Sequence, residues 1–245
     1  MGEHAASVLP ATPRRRGGDS AARKISVMLV DDHTLIRQGV RVLLEAEADI
    51  VVVGEAEDGR HAVAMALDLH PDVVMMDIAM PLLNGIEATR QIIAALPKTR
   101  VLVLSAHSDE EYVDRVTALG AAGYVLKQSS LHDLATAIRT AQAGRIYVSP
   151  SIVRRPRRKS GGKAGGPGPP ALPARLSTRE AEVLQLVAEG KANKQTAVEL
   201  GISIKTVEKH RNGLMQKLDI HDVAGLVRYA IAVGIIEGRD RSPLS

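Results

Sequence analysis

The chain has 245 residues, 45% of them hydrophobic but only 2% aromatic, and no cysteine, so its core must be built from Ala, Val, Leu and Ile, and disulfides, thiolate catalysis and Cys-based metal centres are excluded. The net charge of +4 hides a division: residues 25–150 carry 10 Lys/Arg against 17 Asp/Glu, residues 151–245 carry 17 against 9, and the first 24 carry 5 against 2; an acidic half and a basic half suggest two jobs, the basic one on nucleic acid. No apolar run approaches the ~18 residues that span a bilayer, and the N-terminus lacks a signal-peptide core, so a soluble cytoplasmic protein with no membrane partner is expected.

In chain order, residues 1–23 are rich in Ala, Arg and Gly without periodicity and read as a disordered tail. From 24 to 149 two patterns alternate. Short apolar runs, ISVMLV (25–30), IVVVGE (50–55), DVVMM (72–76), RVLVLS (100–105) and GYVLK (123–127), read as strands. Amphipathic stretches of helix length lie at about 34–46, 58–69, 84–95, 109–118 and 130–143. Five β/α alternations imply a doubly wound, five-stranded parallel sheet covered on both faces, an α/β domain. Residues 150–173, with RRPRRKSGGKAGGPGPPALP at their heart, are expected to be a flexible basic Gly/Pro linker. Residues 174–245 change character. LSTREAEVLQLVAEG has a capping box at Ser177 and Glu180, NKQTAVELG is a short helix, Ser203 caps a longer one to Leu218, and DVAGLVRYAIAVGII is a fourth. A second, smaller all-α domain follows.

The strand ends carry the chemistry. The first strand ends in Asp31-Asp32, the third in Asp77, the fourth in Ser105 and the fifth in Lys127. Singly, such an Asp is a turn residue, such a Ser a local hydrogen-bonder and such a Lys a solvated charge. A parallel sheet brings all of them to one edge, where ligands bind. Converging carboxylates ask for a cation, and hard oxygen ligands at a wet rim suit Mg²⁺. A carboxylate beside Mg²⁺ is a nucleophile toward phosphorus. Lys127 and Ser105 then supply the positive charge and the hydrogen-bond donor that phosphoryl oxygens need.

The pieces VMLVDDH, DVVMMDIAMPLLNG, VLVLSAH and GYVLK, over about residues 25–145, resemble the receiver domain of two-component response regulators, a flavodoxin-like fold. The resemblance implies that Asp77 is the phosphoacceptor, charged by a partner sensor histidine kinase. It implies that Asp31, Asp32 and Asp77, with the backbone carbonyl of Ala79, bind Mg²⁺. It assigns Ser105 and Lys127 to the phosphoryl group and gives Tyr124 a switch role, in which the tyrosine rotates behind Ser105; the plain alternative is an aromatic on an edge strand. Ala79 and His107 sit where the family tunes phosphate lifetime.

In the basic half, NKQTAVELGISIKTVEKHRNGLMQKL is helix, Gly-containing turn, helix, the layout of a helix-turn-helix. Ile204, Val207, Leu214 and Leu218 define the buried face expected of the second helix. Opposite lie Lys205, Glu208, Lys209 and Asn212, suited to base edges, while Lys194, Thr206 and Arg211 are placed for phosphates. Residues 176–236 resemble the LuxR-type helix-turn-helix through LSTREAEVL, the NK-to-IS stretch and TVEKH with KL. Thr196 departs from it: the family usually has Ile there, and a hydroxyl at a packed position needs a partner. His210 reads as packed or phosphate-contacting. In the family the fourth helix dimerises, and here Val223, Leu226, Val227, Ala230 and Ile231 supply an apolar stripe.

Together the resemblances imply a NarL/FixJ-class transcription factor, a homodimer when phosphorylated, on a two-fold site in double-stranded DNA, with room for RNA polymerase as a further partner. One rival is an aspartyl-nucleophile phosphatase, but such enzymes need an acid/base Asp two residues on, and that position is Ala79. A DNA-binding regulator with a non-signalling receiver is the other, against which stands the complete Asp-Asp, Asp, Ser, Lys set. The linker's random-coil reach of roughly 25 Å would let the acidic receiver cover the recognition helix until phosphorylation releases it.

Overall fold

The computed structural model describes residues 23–105, 110–152 and 176–236. The expected tail up to residue 22, most of the expected linker, and His107 lie outside them.

Residues 23–152 form a parallel sheet in the order β2-β1-β3-β4-β5-β6. Its strands are β1 (Ile25–Val30), β2 (Ile50–Ala56), β3 (Val73–Asp77), β4 (Arg100–Ser105), β5 (Gly123–Leu126) and β6 (Tyr147–Val148). Between them run α1 (Thr34–Glu45), α2 (Gly59–Leu69), α3 (Gly85–Ala95), α4 (Glu110–Ala118) and α5 (Leu131–Gln142). The apolar run of β3 has the two-residue period of a strand buried on both faces. Val74 and Met76 enter a core shared with Ala62 and Ala66 of α2 and with Ile86, Ala88 and Ile92 of α3. Val73 and Met75 enter the opposite core, with Leu44 of α1 and Leu134, Ala137 and Ile138 of α5. Methionine supplements the branched aliphatics: Met28, Met75 and Met76 are fully buried, their flexible thioethers filling space that aromatics would otherwise take.

The sheet has six strands where five were expected. β6 pairs through Gly123↔Tyr147 and Tyr124↔Val148. A Cβ on Gly123 would meet the Tyr147 carbonyl oxygen at 2.2 Å, so the glycine permits this close approach. Tyr124 is therefore not on an edge strand. Ile152, within the stretch expected as linker, is buried against the same core.

The C-terminal unit is four helices, α6 (Thr178–Ala188), α7 (Asn193–Leu200), α8 (Ile204–Leu218) and α9 (Val223–Ala232). Ser177 and Glu180 form the expected capping box. Gly201 ends α7 in the left-handed region, and Ser203 caps α8 by accepting from the Thr206 amide. Val183, Leu184, Val187, Val207, Leu214, Leu226 and Ala230 make the core. The expected buried face of α8 needs one correction: Val207 and Leu214 are fully buried, but Ile204 is 44% exposed because its first turn projects beyond the core. Among the described residues no helix is long and apolar enough to cross a membrane.

Candidate functional site

Parallel register brings the strand ends together. Val30 lies beside Met76, Asp77 beside Leu104, and Ser105 beside Leu126, so Asp31, Asp32, Asp77, Ser105 and Lys127 emerge at one rim. Lys127 Nζ stands 2.8 Å from Asp77 Oδ2 and 2.9 Å from Asp31 Oδ2. Both carboxylates are buried, and among the described residues these two oxygens have no hydrogen-bond partner beyond that ammonium contact. Asp77 Oδ1 accepts from the Ile78 amide at 2.8 Å, which leaves Oδ2 as the oxygen open to reaction. Asp31 Oδ1 accepts from the His33 amide, and His33 Nδ1 lies 2.8 Å from Asp32 Oδ1.

Burial pushes the Asp77 carboxyl up to about 6; Lys127 pulls it down, and Asp31 and Asp32 push it up further. Burial opposes the charge on Lys127, but its contacts with Asp77 and Asp31 prevail and hold its pKa above the ordinary value. Three carboxylates against one ammonium are a poorly neutralised set. Asp31, Asp32, His33 and Asp77 each offer a ligand atom, all within 4.8 Å of one another, and their hard, under-paired oxygens fit a divalent cation. His33 joined this cluster without being singled out in the sequence.

Ala79 lies half-buried in the loop from β3 to α3. That loop wraps tightly behind Asp77: Gly85 N donates to Ile78 O at 2.9 Å, and a Cβ on Gly85 would meet the Asp77 carbonyl oxygen at 1.7 Å. Ser105 is buried at the end of β4, and Lys127 N donates to its carbonyl. Tyr124 is 1% exposed, in register with Val103 two residues before Ser105.

On α8, Lys205, Glu208, Lys209 and Asn212 are exposed together along a shallow groove with Thr206 and Gln216. Lys194 is exposed on α7. Arg211 donates to Asn193 Oδ1 at 3.1 Å and ties α8 to α7, while Thr206 Oγ1 shares a hydrogen bond with Ser203 Oγ. The α9 stripe divides: Leu226 and Ala230 are core, whereas Val223 and Ile231 are exposed. Thr196 is fully buried, and its hydroxyl has no partner among the described residues.

The two units dock, but not over α8. Leu82, in the loop after Asp77, packs against the C-terminal core. Its φ is +66°, a left-handed conformation that costs a branched L-residue roughly 1–2 kcal/mol. Gln185 of α6 bonds Met80 and Asn84. Sequence reasoning missed both residues. An exposed-looking leucine between Pro81 and Leu83 was the only signal, and the pattern on α6 gave Gln185 no special place. The recognition helix, expected to be covered by the receiver, is instead open on its polar face.

Residues 27–139 match the response regulator receiver domain model, and residues 174–230 the bacterial regulatory proteins, luxR family model. The transcriptional regulatory protein LiaR of Bacillus subtilis is 41% identical over 207 residues, covering 84% of this chain and 96% of its own length. The structure of the RcsB response regulator of Salmonella typhimurium superposes with a TM-score of 0.52 at 30% identity, covering 84% of this chain and 98% of that one. An RcsB–DNA complex gives 0.52 at 28% identity, covering 86% and 100%. Receiver and helix-turn-helix occur here in one chain and in the same order, over nearly the whole length of LiaR. The chain belongs to the NarL/FixJ class of two-component response regulators, transcription factors with a LuxR-type DNA-binding domain.

Proposed function

We propose that Asp77 accepts a phosphoryl group from a sensor histidine kinase and that this controls binding of α7 and α8 to a two-fold DNA site. The observation that carries the reading is Lys127 Nζ lying between Asp77 Oδ2 and Asp31 Oδ2 at the rim of the sheet. Asp77 Oδ2 attacks phosphorus, the bond from phosphorus to the donor nitrogen breaks, and the leaving imidazole keeps that electron pair and is protonated. The product is an acyl phosphate. Ile78 N–H fixes the carboxylate's other oxygen, and Lys127 moves from carboxylate to phosphoryl oxygen. Asp31 and Asp32, with Asp77 and the Ala79 carbonyl, would hold Mg²⁺, which neutralises phosphoryl charge. Ser105 donates to the phosphoryl group, and the displacement of Ser105 vacates the space behind it, into which the already buried Tyr124 rotates.

The chain is read as a regulator rather than an enzyme, since Ala79 has no proton to transfer to a leaving group or water. Lys205, Glu208, Lys209 and Asn212 read base edges, and Lys194, Thr206 and Arg211 meet phosphates. The exposed Val223 and Ile231 of α9 supply a dimer contact, in keeping with a solved relative described as RcsB dimers bound to DNA. A protein that meets the chromosome this way works in the cytoplasm. Incubating the full chain with a small-molecule phosphodonor and Mg²⁺ tests the phosphoacceptor: the wild type should gain one phosphoryl group and Asp77→Asn none. Undiminished labelling of the variant would place the chemistry elsewhere.

A further inference from the structure

His33 stands at the N-cap of α1 with extended backbone, yet its side chain makes no capping hydrogen bond. Ser, Thr, Asp or Asn is the usual residue there, because its oxygen satisfies an otherwise unpaired helix amide. The imidazole instead turns to the carboxylates at the rim. Its Nδ1 lies 2.8 Å from Asp32 Oδ1 and 3.3 Å from Asp31 Oδ1, while the backbone amide of the same residue donates to Asp31 Oδ1 at 2.8 Å. Lys127 takes the other oxygen of Asp31, Oδ2, together with Asp77 Oδ2. Imidazole and ammonium thus meet the cluster at different oxygens. Among the described residues Asp32 Oδ1 is buried without a hydrogen-bond partner, so the close approach of His33 Nδ1 lacks the bridging proton that ordinarily stabilises such a contact.

We propose that His33 Nδ1 is a ligand of the divalent cation at this rim, in a position that water would otherwise fill, and that it tilts the choice of cation from Mg²⁺ toward the first-row transition metals. The inference rests on the reading that Asp31, Asp32 and Asp77 hold a divalent cation. Bonds of ~2.1 Å put neighbouring ligand atoms of an octahedral cation about 3.0 Å apart and opposite ones about 4.2 Å apart. The separations of His33 Nδ1 from the two aspartate oxygens, 2.8 and 3.3 Å, straddle the first of these. The ligand atoms of all four residues lie within 4.8 Å of one another, so the imidazole joins them without a large movement.

The chemistry of the nitrogen sets the preference. A neutral imidazole bound through Nδ1 carries its proton on Nε2, and the side chain is 60% exposed, so water can accept that hydrogen bond. Mg²⁺ is hard, gives up water reluctantly and gains little from a nitrogen ligand. Imidazole suits the later first-row cations, whose affinity for such sites rises along the row. The aspartates hold either kind of cation; the imidazole adds affinity for only one of them.

The test titrates the full-length chain with Mg²⁺ and with Co²⁺ by calorimetry at about pH 8, where imidazole is ordinarily neutral. His33→Ala should weaken Co²⁺ about tenfold or more and leave Mg²⁺ within about twofold. His33→Asn should do the same, although Asn is a preferred cap, so a loosened α1 cannot account for the loss. X-ray absorption at the cobalt edge, with one equivalent of Co²⁺, should show the outer-shell scattering of a bound imidazole ring in wild type and lose it in both variants. Equal weakening of the two cations, a Co²⁺ preference that survives in His33→Asn, or imidazole scattering absent from wild type or unchanged in the variants would overturn the proposal. The cation site itself is judged separately, since Asp32→Asn should weaken Mg²⁺ and Co²⁺ alike. If both bind that variant as they bind wild type, the rim does not hold the cation, and the role of His33 falls with it.

Discussion

Asp77 is held where its own charge is disfavoured. Burial, the largest cause, pushes its carboxyl from the ordinary 3.8 up to about 6. The folded state therefore binds this proton more tightly than the unfolded chain does. The group's contribution is fully present below about pH 4 and is lost as pH rises through 6, leaving a destabilisation on the order of 1–3 kcal/mol at neutral pH. Asp77→Asn should accordingly raise the Tm of the Mg²⁺-free protein at pH 7, as a thermal melt will show; an unchanged or lower Tm would contradict the burial argument. The same titration should slow phosphoryl uptake as pH falls through 6 at limiting Mg²⁺, because the protonated acid is a poor nucleophile. Lys127→Ala should still label but fail to couple labelling to DNA binding, and a variant with normal phosphorylation-dependent binding would refute that role. These residues were legible because a parallel sheet brings the carboxyl ends of neighbouring strands to one rim. Gln185 and Leu82 were not legible, because their roles exist only once the two units meet.

At the scale of elements, α8 was legible from its caps and period, though not its first turn: Ile204 has the spacing of a core residue yet lies beyond the core. β6 gave no signal, since two residues are too short for a periodicity and their pairing depends on the bare backbone at Gly123. Lys209→Ala and Asn212→Ala should relax sequence preference, each losing ~1–3 kcal/mol of discrimination. Arg211→Ala should weaken all DNA alike and lower the salt slope by about one, with an added loss of stability from its bond to Asn193. Equal losses across cognate and random duplexes for all three would mean that another face of α8 reads the bases. In α7, the Thr196 hydroxyl is buried without a partner among the described residues. Thr196→Val keeps the shape and removes the polar atom, so denaturant unfolding should show a gain of ~1 kcal/mol; a loss would reveal a partner that the hydroxyl needs.

For the molecule as a whole, an acidic half and a basic half are joined in one chain. Receiver and DNA-binding unit meet through the loop that follows Asp77, so a coupling between the rim and α6 needs no long relay. The sequence showed that the halves differ in charge and are joined by a chain long enough to let them touch. It did not show where they touch, because docking depends on surface shape at Leu82 and on one buried amide. At this scale the proposal is that a phosphoryl group on Asp77 controls DNA binding. It is tested most directly by the affinity of the full-length protein for its operator, once mapped, with and without phosphodonor and Mg²⁺, in wild type and Asp77→Asn at matched salt, since phosphate contacts make affinity depend steeply on ionic strength. The donor should tighten binding by the wild type and leave Asp77→Asn unchanged. Equal affinity of the wild type with and without donor, or equal tightening in both proteins, would contradict it.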